Sequence, residues 1–226
     1  MNARIWSFIK SHSYFLSRVY FLMMDNRIRG RRKNSIQRGN AFLSKSRISF
    51  HGTDNHIIIG SDGEKPAYLK NLKVSIYGSN NTIIIEGGVG AKDLSVYCAD
   101  AECFVHILEG TQISGKTELA VMEGTSIIVG RDCLFSANIT LRAGDSHSVI
   151  DEESGKRINP SKNIIIGNRV WIGNTVIVTK GSNIGADSVI ATGSVVTGKV
   201  FPDHSAIGGN PARVIKEGIS WIPEKI

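Results

Sequence analysis

The strongest constraint on the fold is a six-residue repeat in the C-terminal half of the sequence. From residue 166 the chain reads IGNRVW, IGNTVI, VTKGSN, IGADSV, IATGSV and VTGKVF. A period of six does not suit an α-helix, whose faces recur near 3.6 residues. It favours a β-solenoid, in which each coil stacks its aliphatic residues on those of the coil below. The residues that head the six hexapeptides are Ile166, Ile172, Val178, Ile184, Ile190 and Val196.

The repeat is interrupted once. Val129, Phe135 and Leu141 keep the same spacing upstream, but Leu141 and Ile166 are 25 residues apart, which is four repeats plus one. The two runs are therefore out of register, and a segment between them must leave the solenoid wall. The sequence RAGDSHSVIDEESGKRIN lies there, so we predict a protruding loop over residues 142–162.

The early part of the chain repeats more loosely. The segments GTDNHIIIG and GSNNTIIIEG resemble one another and suggest irregular coils with longer turns, in which asparagine adopts positive φ. We therefore predict a basic N-terminal arm over residues 1–45, a solenoid domain over 46–218 and a short tail over 219–226.

The positive charge of the chain is concentrated in this arm. The formal net charge is +7, yet the first 50 residues hold eleven Lys or Arg and one acid, which leaves the rest mildly acidic. An amphipathic helix is predicted in the arm, because apolar residues recur on one helical face. That face contains Ile5, Ile9, Leu16, Val19 and Met23.

Two interpretations of the arm remain open. The helix packs on its own body or on a neighbouring subunit, or the helix and the following RIRGRRK make peripheral contact with an anionic membrane. Nucleic acid is not favoured, since the body adds no basic surface or aromatic platform.

The expected location is the cytoplasm, and the basic arm extends that expectation to the inner face of the cell membrane. The longest uncharged apolar run in the arm, VYFLMM, is too short for a membrane span or a secretory signal. Three cysteines without a CxxC pair suggest neither a disulfide framework nor a cysteine zinc site.

These motifs together resemble a known family. The hexapeptide run, the WIG at residues 171–173, the histidine in the preceding loop and the closing GGNPARVIK are similar to the left-handed β-helix acyltransferases. The chain most resembles bacterial sugar O-acetyltransferases that modify capsule, sialic-acid or lipopolysaccharide units. The resemblance implies an all-β, left-handed parallel β-helix, assembly as a homotrimer and acetyl-CoA as the acyl donor.

His147 is the predicted catalytic residue. Acyl transfer to an alcohol needs a base for the hydroxyl proton, and the ordinary pKa of histidine suits that task at cytoplasmic pH. Asp145, two residues earlier, is a candidate to orient the imidazole, although a backbone carbonyl can do the same. We expect direct transfer without an acyl-enzyme, with a backbone N–H near residues 171–174 stabilising the oxyanion.

The resemblance also implies a binding site for acetyl-CoA along the C-terminal coils. It depends on an outward-facing tryptophan, small residues along the pantetheine arm and basic residues near the phosphates. The chain departs from the family at Thr192, where Ala or Gly is usual, and by one extra residue before Lys199. The implied residues are Trp171, Gly173, Asn174, Thr192, Thr197, Gly198, Lys199, Arg213 and Lys216.

The acceptor is the least determined part of the prediction. Arg157 and Asn159 are candidates to bind sugar hydroxyls, and the same residues also suit a solvent-facing turn. The leading function is O-acetylation of a surface-polysaccharide sugar. The alternatives are other acyltransferases, such as nucleotide-sugar N-acyltransferases or xenobiotic acetyltransferases, and a non-enzymatic or metal-containing solenoid. No metal is expected, since His51, His56 and His106 do not match a zinc pattern.

Overall fold

Each coil of the chain contributes one strand to each of three parallel sheets, which we call A, B and C. The computed structural model describes residues 16–61 and 65–224, and it contains eight such coils preceded by a helix, α1, over residues 16–23. The predicted all-β parallel solenoid is therefore confirmed. Ile5 and Ile9 of the predicted helix lie outside the described residues.

The strands follow one another in the order A, B, C around each coil. Sheet A contains β1 (Arg27–Arg29), β4 (Arg47–Phe50), β7 (Lys73–Ile76), β10 (Leu94–Cys98), β13 (Thr117–Val121), β16 (Ile139–Arg142), β19 (Ile177–Thr179) and β22 (Val195–Val196). Sheet B contains β2 (Ser35–Arg38), β5 (His56–Ser61), β8 (Thr82–Glu86), β11 (Phe104–Ile107), β14 (Ser126–Val129), β17 (Ile164–Ile166), β20 (Asn183–Ile184) and β23 (Val200–Phe201). Sheet C contains β3 (Ala41–Ser44), β6 (Ala67–Lys70), β9 (Gly90–Lys92), β12 (Gln112–Ile113), β15 (Leu134–Phe135), β18 (Trp171–Ile172), β21 (Val189–Ile190), β24 (Ala206–Gly209) and the antiparallel β25 (Ala212–Lys216).

The hexapeptide heads fill the interior of the solenoid. Ile166, Ile172 and Val178 lie on sheets B, C and A in turn, and all three side chains are buried. Three hexapeptides therefore make one coil, and Val178 pairs with Val196 one coil later. Because every coil places aliphatic residues at the same inner positions, the core is a continuous column that no single coil can bury alone.

The early coils are longer and begin earlier than the repeat indicates. Ile48 pairs with Val74 across a coil whose turns include Asn71, which has a φ of 57°. The first strand, β1, lies inside the segment that the sequence assigns to the arm. Its outward positions are charged, so it does not show the repeat, although Gly30 at a φ of 73° follows it directly.

A ladder of asparagines closes the corner between sheets A and B in the first coils. The Oδ1 atom of Asn34 accepts a hydrogen bond from the backbone N–H of Asn55 at 3.0 Å. In the same way, Oδ1 of Asn55 accepts from the N–H of Asn81 at 2.9 Å, and Oδ1 of Asn81 accepts from the N–H of Cys103 at 2.8 Å. Each of these amides, of which those of Asn55 and Asn81 are fully buried, therefore satisfies a backbone donor in the turn of the next coil.

Helix α1 packs on the first coils through one face and exposes the other. The ring of Tyr20 meets the edge of Phe42, and Phe21 lies under the guanidinium of Arg38. Leu16 and Met23, from the predicted apolar face, point to solvent instead. Within the described residues, no helix is both long enough and apolar enough to cross a membrane.

Candidate functional site

The interruption in the repeat forms a protruding hairpin at the corner between sheets A and B. We call residues 143–163, between β16 and β17, the excursion loop. The N–H of Ile158 donates to the carbonyl of Val149, and the N–H of Asp151 donates to that of Lys156, both at 2.9 Å. The carboxylate of Asp151 closes the tip by accepting hydrogen bonds from the N–H and hydroxyl of Ser154. The loop is therefore an ordered element that holds a fixed shape outside the solenoid.

His147 lies exposed near the base of this hairpin. Its backbone carbonyl accepts a hydrogen bond from Nδ2 of Asn159 at 2.8 Å. None of the described residues forms a hydrogen bond with the imidazole ring, so its nitrogens face solvent. The arrangement fixes the backbone of His147 and leaves the ring available to an incoming hydroxyl group.

Asn159 is the centre of the hydrogen-bond network of the loop. Its buried side chain donates to the carboxylate of Asp145 and to the carbonyl of His147, each at 2.8 Å. Its Oδ1 atom accepts from the N–H of Val149 at 2.7 Å and from Nε of Arg157 at 3.2 Å. The amide thus uses both of its donors and both of its acceptor lone pairs within the loop. A contact between Asn159 and an acceptor sugar stays a prediction.

Asp145 is held by a lysine from the next coil. The carboxylate forms an ion pair with Nζ of Lys180, which also donates to the carbonyl of Asn159 at 2.9 Å. The hydrogen bond from Lys180, followed by that from Asn159, lowers the pKa of Asp145 below its ordinary value. Asp145 is therefore linked to His147 through Asn159, while direct orientation of the imidazole stays a prediction.

Arg157 ties the far strand of the hairpin to the preceding coil. Its Nη2 atom lies 2.7 Å from Oε1 of Glu123, whose other oxygen accepts the N–H of Ser161 at 3.1 Å. These hydrogen bonds, with that from Arg157 the larger, lower the pKa of Glu123 to about 2. Sugar binding by Arg157 stays a prediction, since its guanidinium also anchors the loop.

We expect this anchor to give the stability of the protein a defined pH dependence. The folded state lowers the pKa of Glu123 from 4.5 to about 2, so its stabilisation is present above pH 4.5 and is lost as the pH falls towards 2. The difference in urea midpoint between the wild type and Glu123→Gln should therefore shrink across that interval. A difference that stays constant down to the acid limit of folding would contradict the assignment, and Arg157→Gln should give the same pH trend.

Lys180 has a role that the sequence did not reveal. It is the third residue of the hexapeptide VTKGSN that starts at Val178, and nothing in its local pattern separates it from a solvated turn lysine. Its partner Asp145 lies 35 residues earlier, across a loop whose return path the sequence does not specify. The interruption of the repeat predicts where the loop lies, but it does not predict which residues anchor the loop to the solenoid.

A second group of predicted residues lies on sheet C and on the corner that leads from it to sheet A. Trp171 points outward and is largely exposed. A Cβ on Gly173 would lie 2.7 Å from the N atom of Thr192, so the close contact between the two turns requires glycine. Asn174 accepts the N–H of Ala137 through its side chain and the N–H of Gly193 through its carbonyl. These residues therefore form one narrow surface.

The C-terminal tail supports Trp171. The ring of Trp221 lies 6.2 Å from that of Trp171, and Arg169 lies over the Trp221 ring at 5.6 Å. Arg169 is held in turn by an ion pair, in which its Nε atom lies 2.7 Å from Oδ1 of Asp187. Trp221 was not among the predicted site residues, although an aromatic residue after a basic strand is a signal that could have located it.

The remaining predicted donor-binding residues are divided between two places. Arg213 and Lys216 lie on β25, at the edge of sheet C, where both side chains are exposed. Thr197, Gly198 and Lys199 lie at the corner between sheets A and B, below the excursion loop. There the N–H of Gly198 donates to the hydroxyl of Ser182 at 3.1 Å.

Within one subunit the candidate residues thus form two separate groups. The excursion loop with His147 leaves from one edge of sheet A, and the surface around Trp171 and Asn174 lies at the other edge. Sheet A separates them. A site that uses both groups together must therefore take one group from each of two subunits.

The cysteines are poorly placed for nucleophilic chemistry. Burial raises the pKa of Cys98 to about 12 and that of Cys133 to about 11, and it also raises that of Cys103. All three side chains point into the solenoid. In the described ranges, no cluster of three or more His, Cys, Asp or Glu residues is arranged to hold a metal ion.

A parallel solenoid of hexapeptide coils, with a histidine on a protruding loop, defines a class of proteins. Comparison with known proteins shows which family within this class the chain belongs to. The crystal structure of the polySia-specific acetyltransferase NeuO superposes with a TM-score of 0.79 at 32% identity, covering 89% of this chain and 88% of that one. The chain belongs to the hexapeptide-repeat β-helix acetyltransferase family. No family model matches the sequence.

Two curated relatives are similar over shorter stretches. The polysialic acid O-acetyltransferase of Escherichia coli O1:K1 / APEC is 38% identical over 101 residues, covering 45% of this chain and 33% of the relative. The polysialic acid O-acetyltransferase of Neisseria meningitidis is 30% identical over 124 residues, covering 53% of this chain and 58% of the relative. These alignments span between a third and somewhat over half of the relatives' length.

Proposed function

We propose that this protein is a sugar O-acetyltransferase that uses acetyl-CoA and modifies hydroxyl groups of a sialic-acid polymer. The observation that carries the proposal is the exposed imidazole of His147, held on an ordered loop of a solenoid that belongs to an acetyltransferase family. The names of the relatives support the choice of acceptor, since the NeuO structure and both curated relatives are described as acting on polysialic acid.

In the proposed mechanism, His147 takes the proton of the sugar hydroxyl while the oxygen attacks the acetyl thioester. The C–S bond then breaks, and the departing thiolate of coenzyme A receives that proton from the imidazolium. Asn159 and Asp145 hold the backbone of His147 so that the ring keeps its position through this transfer. The N–H groups of Trp171 and Gly173 already donate to carbonyls of the next coil, each at 2.9 Å. We therefore assign the N–H of Asn174 to the carbonyl oxygen that gains negative charge.

The surface around Trp171 fits the acyl donor. Thr192 is exposed on a turn that packs closely on the buried Gly173, and the outward-facing Trp171 supplies a flat apolar wall for the thin pantetheine chain. The exposed cations Arg213 and Lys216 suit the negatively charged phosphates of coenzyme A. Acetyl-CoA supplies the activated acetyl group when it is bound there.

A homotrimer is part of the proposal, because the two groups of site residues lie on opposite edges of sheet A. Two apolar surfaces support association. Sheet B presents an outward column of isoleucines, in which Ile128 pairs with Ile165 in register. The hairpin of the excursion loop exposes Val149, Ile150 and Ile158, which gives it an apolar surface to place against a neighbour.

The isoleucine column gives a direct test of assembly. Ile165 is 39% exposed on sheet B, and Ile177 is 42% exposed on sheet A. We expect Ile165→Lys to dissociate the trimer, because a charge would be buried at the interface, whereas Ile177→Lys should leave it intact. Sedimentation analysis measures the mass, and a wild-type monomer or a trimeric Ile165→Lys variant would contradict the interface.

The acceptor is tested by a panel with released thiol as the readout. Purified protein and acetyl-CoA are incubated with polysialic acid, free sialic acid, a neutral polysaccharide, a nucleotide amino sugar and chloramphenicol. We expect acceptor-dependent release of thiol with polysialic acid. Turnover of the amino sugar or the antibiotic alone would support the alternative acyltransferase functions, and no turnover with any acceptor would contradict an acetyltransferase.

The basic arm suggests where the reaction takes place. Helix α1 exposes Leu16, Val19, Leu22 and Met23, and it is followed by the basic segment 27–33. We propose that this surface lets the cytoplasmic enzyme touch the anionic inner face of the cell membrane, near a growing surface glycan.

A further inference from the structure

Three aromatic side chains form an exposed strip on the coils that precede the excursion loop. The ring of His51 stacks on that of Tyr77, with centroids 4.3 Å apart and planes 5° apart, and Tyr77 lies 5.6 Å from Tyr97. Tyr77 is 51% exposed and Tyr97 is 37% exposed. We call these three residues the aromatic strip. Neither the fold nor the proposed chemistry accounts for so much aromatic surface in water.

The strip lies beside a row of outward-facing positions on sheet A, which we call the groove. Tyr97 pairs in register with Ser75 on one side and with Ala120 on the other, and Ser49 lies one coil further back. Ser49 and Ser75 are half-buried and form a floor of small residues beside the rings, whereas Ala120 is buried. A flat aromatic wall beside a floor of small residues suits the apolar C–H face of a sugar ring.

The other side of the groove is basic. Arg27, Arg47 and Lys73 are stacked in register on three successive coils. The carboxylate of Asp25 forms ion pairs with Nε of Arg27 at 3.4 Å and with Nη2 of Arg47 at 2.8 Å. Lys73 has no acidic side chain within ion-pair distance among the residues that the structure describes. The groove therefore retains positive charge beside its aromatic wall, which favours a ligand that carries carboxylates.

The same column of sheet A continues to the candidate catalytic loop. In the column that contains Tyr97, Arg142 follows Ala120 in register, and its Nη2 atom donates to the hydroxyl of Ser146 at 2.7 Å. Glu118 also faces this end, 4.0 Å from Arg142. At about 4.8 Å per coil, the four steps from Ser49 to Arg142 span about 19 Å, which is enough for several sugar rings.

We propose that this groove binds successive sugars of an acidic glycan chain, with rings against the aromatic strip and carboxylates towards Arg47 and Lys73. The inference rests on the proposed function and extends it. An acceptor held along sheet A presents one of its hydroxyl groups to His147 while other units of the same chain remain bound. The enzyme therefore prefers long acidic chains to single sugars, and this preference comes from surface outside the reacting site.

The test measures binding separately from turnover. Sialic-acid oligomers of a short and a long series are titrated calorimetrically into the protein without acetyl-CoA. We expect the double variant Tyr77→Leu, Tyr97→Leu to lose affinity for long chains by about tenfold or more, through loss of two aromatic faces. Affinity for the shortest oligomer should not change. Lys73→Gln should weaken long-chain binding and reduce its dependence on salt.

Tyr68→Leu is the matched control, because Tyr68 is an equally exposed tyrosine on sheet C, stacked on Phe42. It should bind both series like the wild type. Unchanged long-chain binding by the double variant would overturn the proposal, as would equal binding of a neutral dextran. Strip-dependent binding without any acetylation would uphold the groove and contradict the proposed function. Acetylation of polysialic acid, together with binding that does not depend on the aromatic strip, would uphold the proposed function and contradict the groove.

Discussion

Replacing His147 by alanine is expected to lower kcat for acetyl transfer by about 10²- to 10⁴-fold. The imidazole is the proposed acceptor of the hydroxyl proton, and His147 is the one histidine among residues 143–163 of the excursion loop. Release of free thiol from acetyl-CoA, measured at saturating acceptor, reports the loss. Binding of coenzyme A should not change, because His147 is not among the proposed donor contacts.

The matched control for this variant is Ser148→Ala, an exposed neighbour in the same loop. It should retain wild-type kcat, which separates loss of the base from a general disturbance of the hairpin. Thermal unfolding should be unchanged in both variants, since the His147 side chain is exposed and makes no hydrogen bond through its ring with any residue that the structure describes. If His147→Ala keeps near wild-type activity, another group is the base.

Asn159→Leu is expected to lower both activity and stability, because it removes the amide that connects the loop. The N–H of Val149 and the carbonyl of His147 would lose their partner, which costs about 1–3 kcal/mol of unfolding free energy where such groups stay buried. We expect kcat to fall by about 10- to 100-fold, since His147 would no longer be held in place. The KM for acetyl-CoA should not change.

Asn163→Ala is the matched control, since Asn163 also accepts one backbone hydrogen bond from another coil, that of Ser126 at 2.9 Å, but does not contact His147. It should lose some stability and keep its kcat. A purely structural role for Asn159 predicts that the two variants lose activity only in proportion to the unfolded fraction. Asn159→Leu protein that is fully folded and fully active would contradict its role in positioning His147.

The fold was predictable wherever the repeat is regular. Ile172, Val178 and Ile184 recur every six residues because three short strands and three short turns complete one coil. The first coils were harder to locate, since β1 reads RIR and β2 reads SIQR, which resembles a charged linker. Positive φ does not separate the two regions, because it occurs at Asn71 and Asn80 in the early coils and at Arg169 and Thr175 in the later ones.

The candidate site was predictable in position but not in its connections. The register slip between Leu141 and Ile166 locates the loop, and residue chemistry then selects His147. The hydrogen bonds of Asn159 and the ion pair of Lys180 depend on where the chain returns after the excursion, which periodicity does not specify. The roles of Trp221 and of the aromatic strip depend on contacts between coils, and such contacts have no local sequence signature.

The asparagine ladder gives the solenoid a direction of growth. Each of Asn34, Asn55 and Asn81 uses its side chain to bind the backbone of the following coil, so an earlier coil prepares the turn of a later one. A chain that leaves the ribosome N-terminus first would meet these templates in the order in which it needs them. Synthesis and coil addition would then advance together, with each newly added coil forming the open edge for the next.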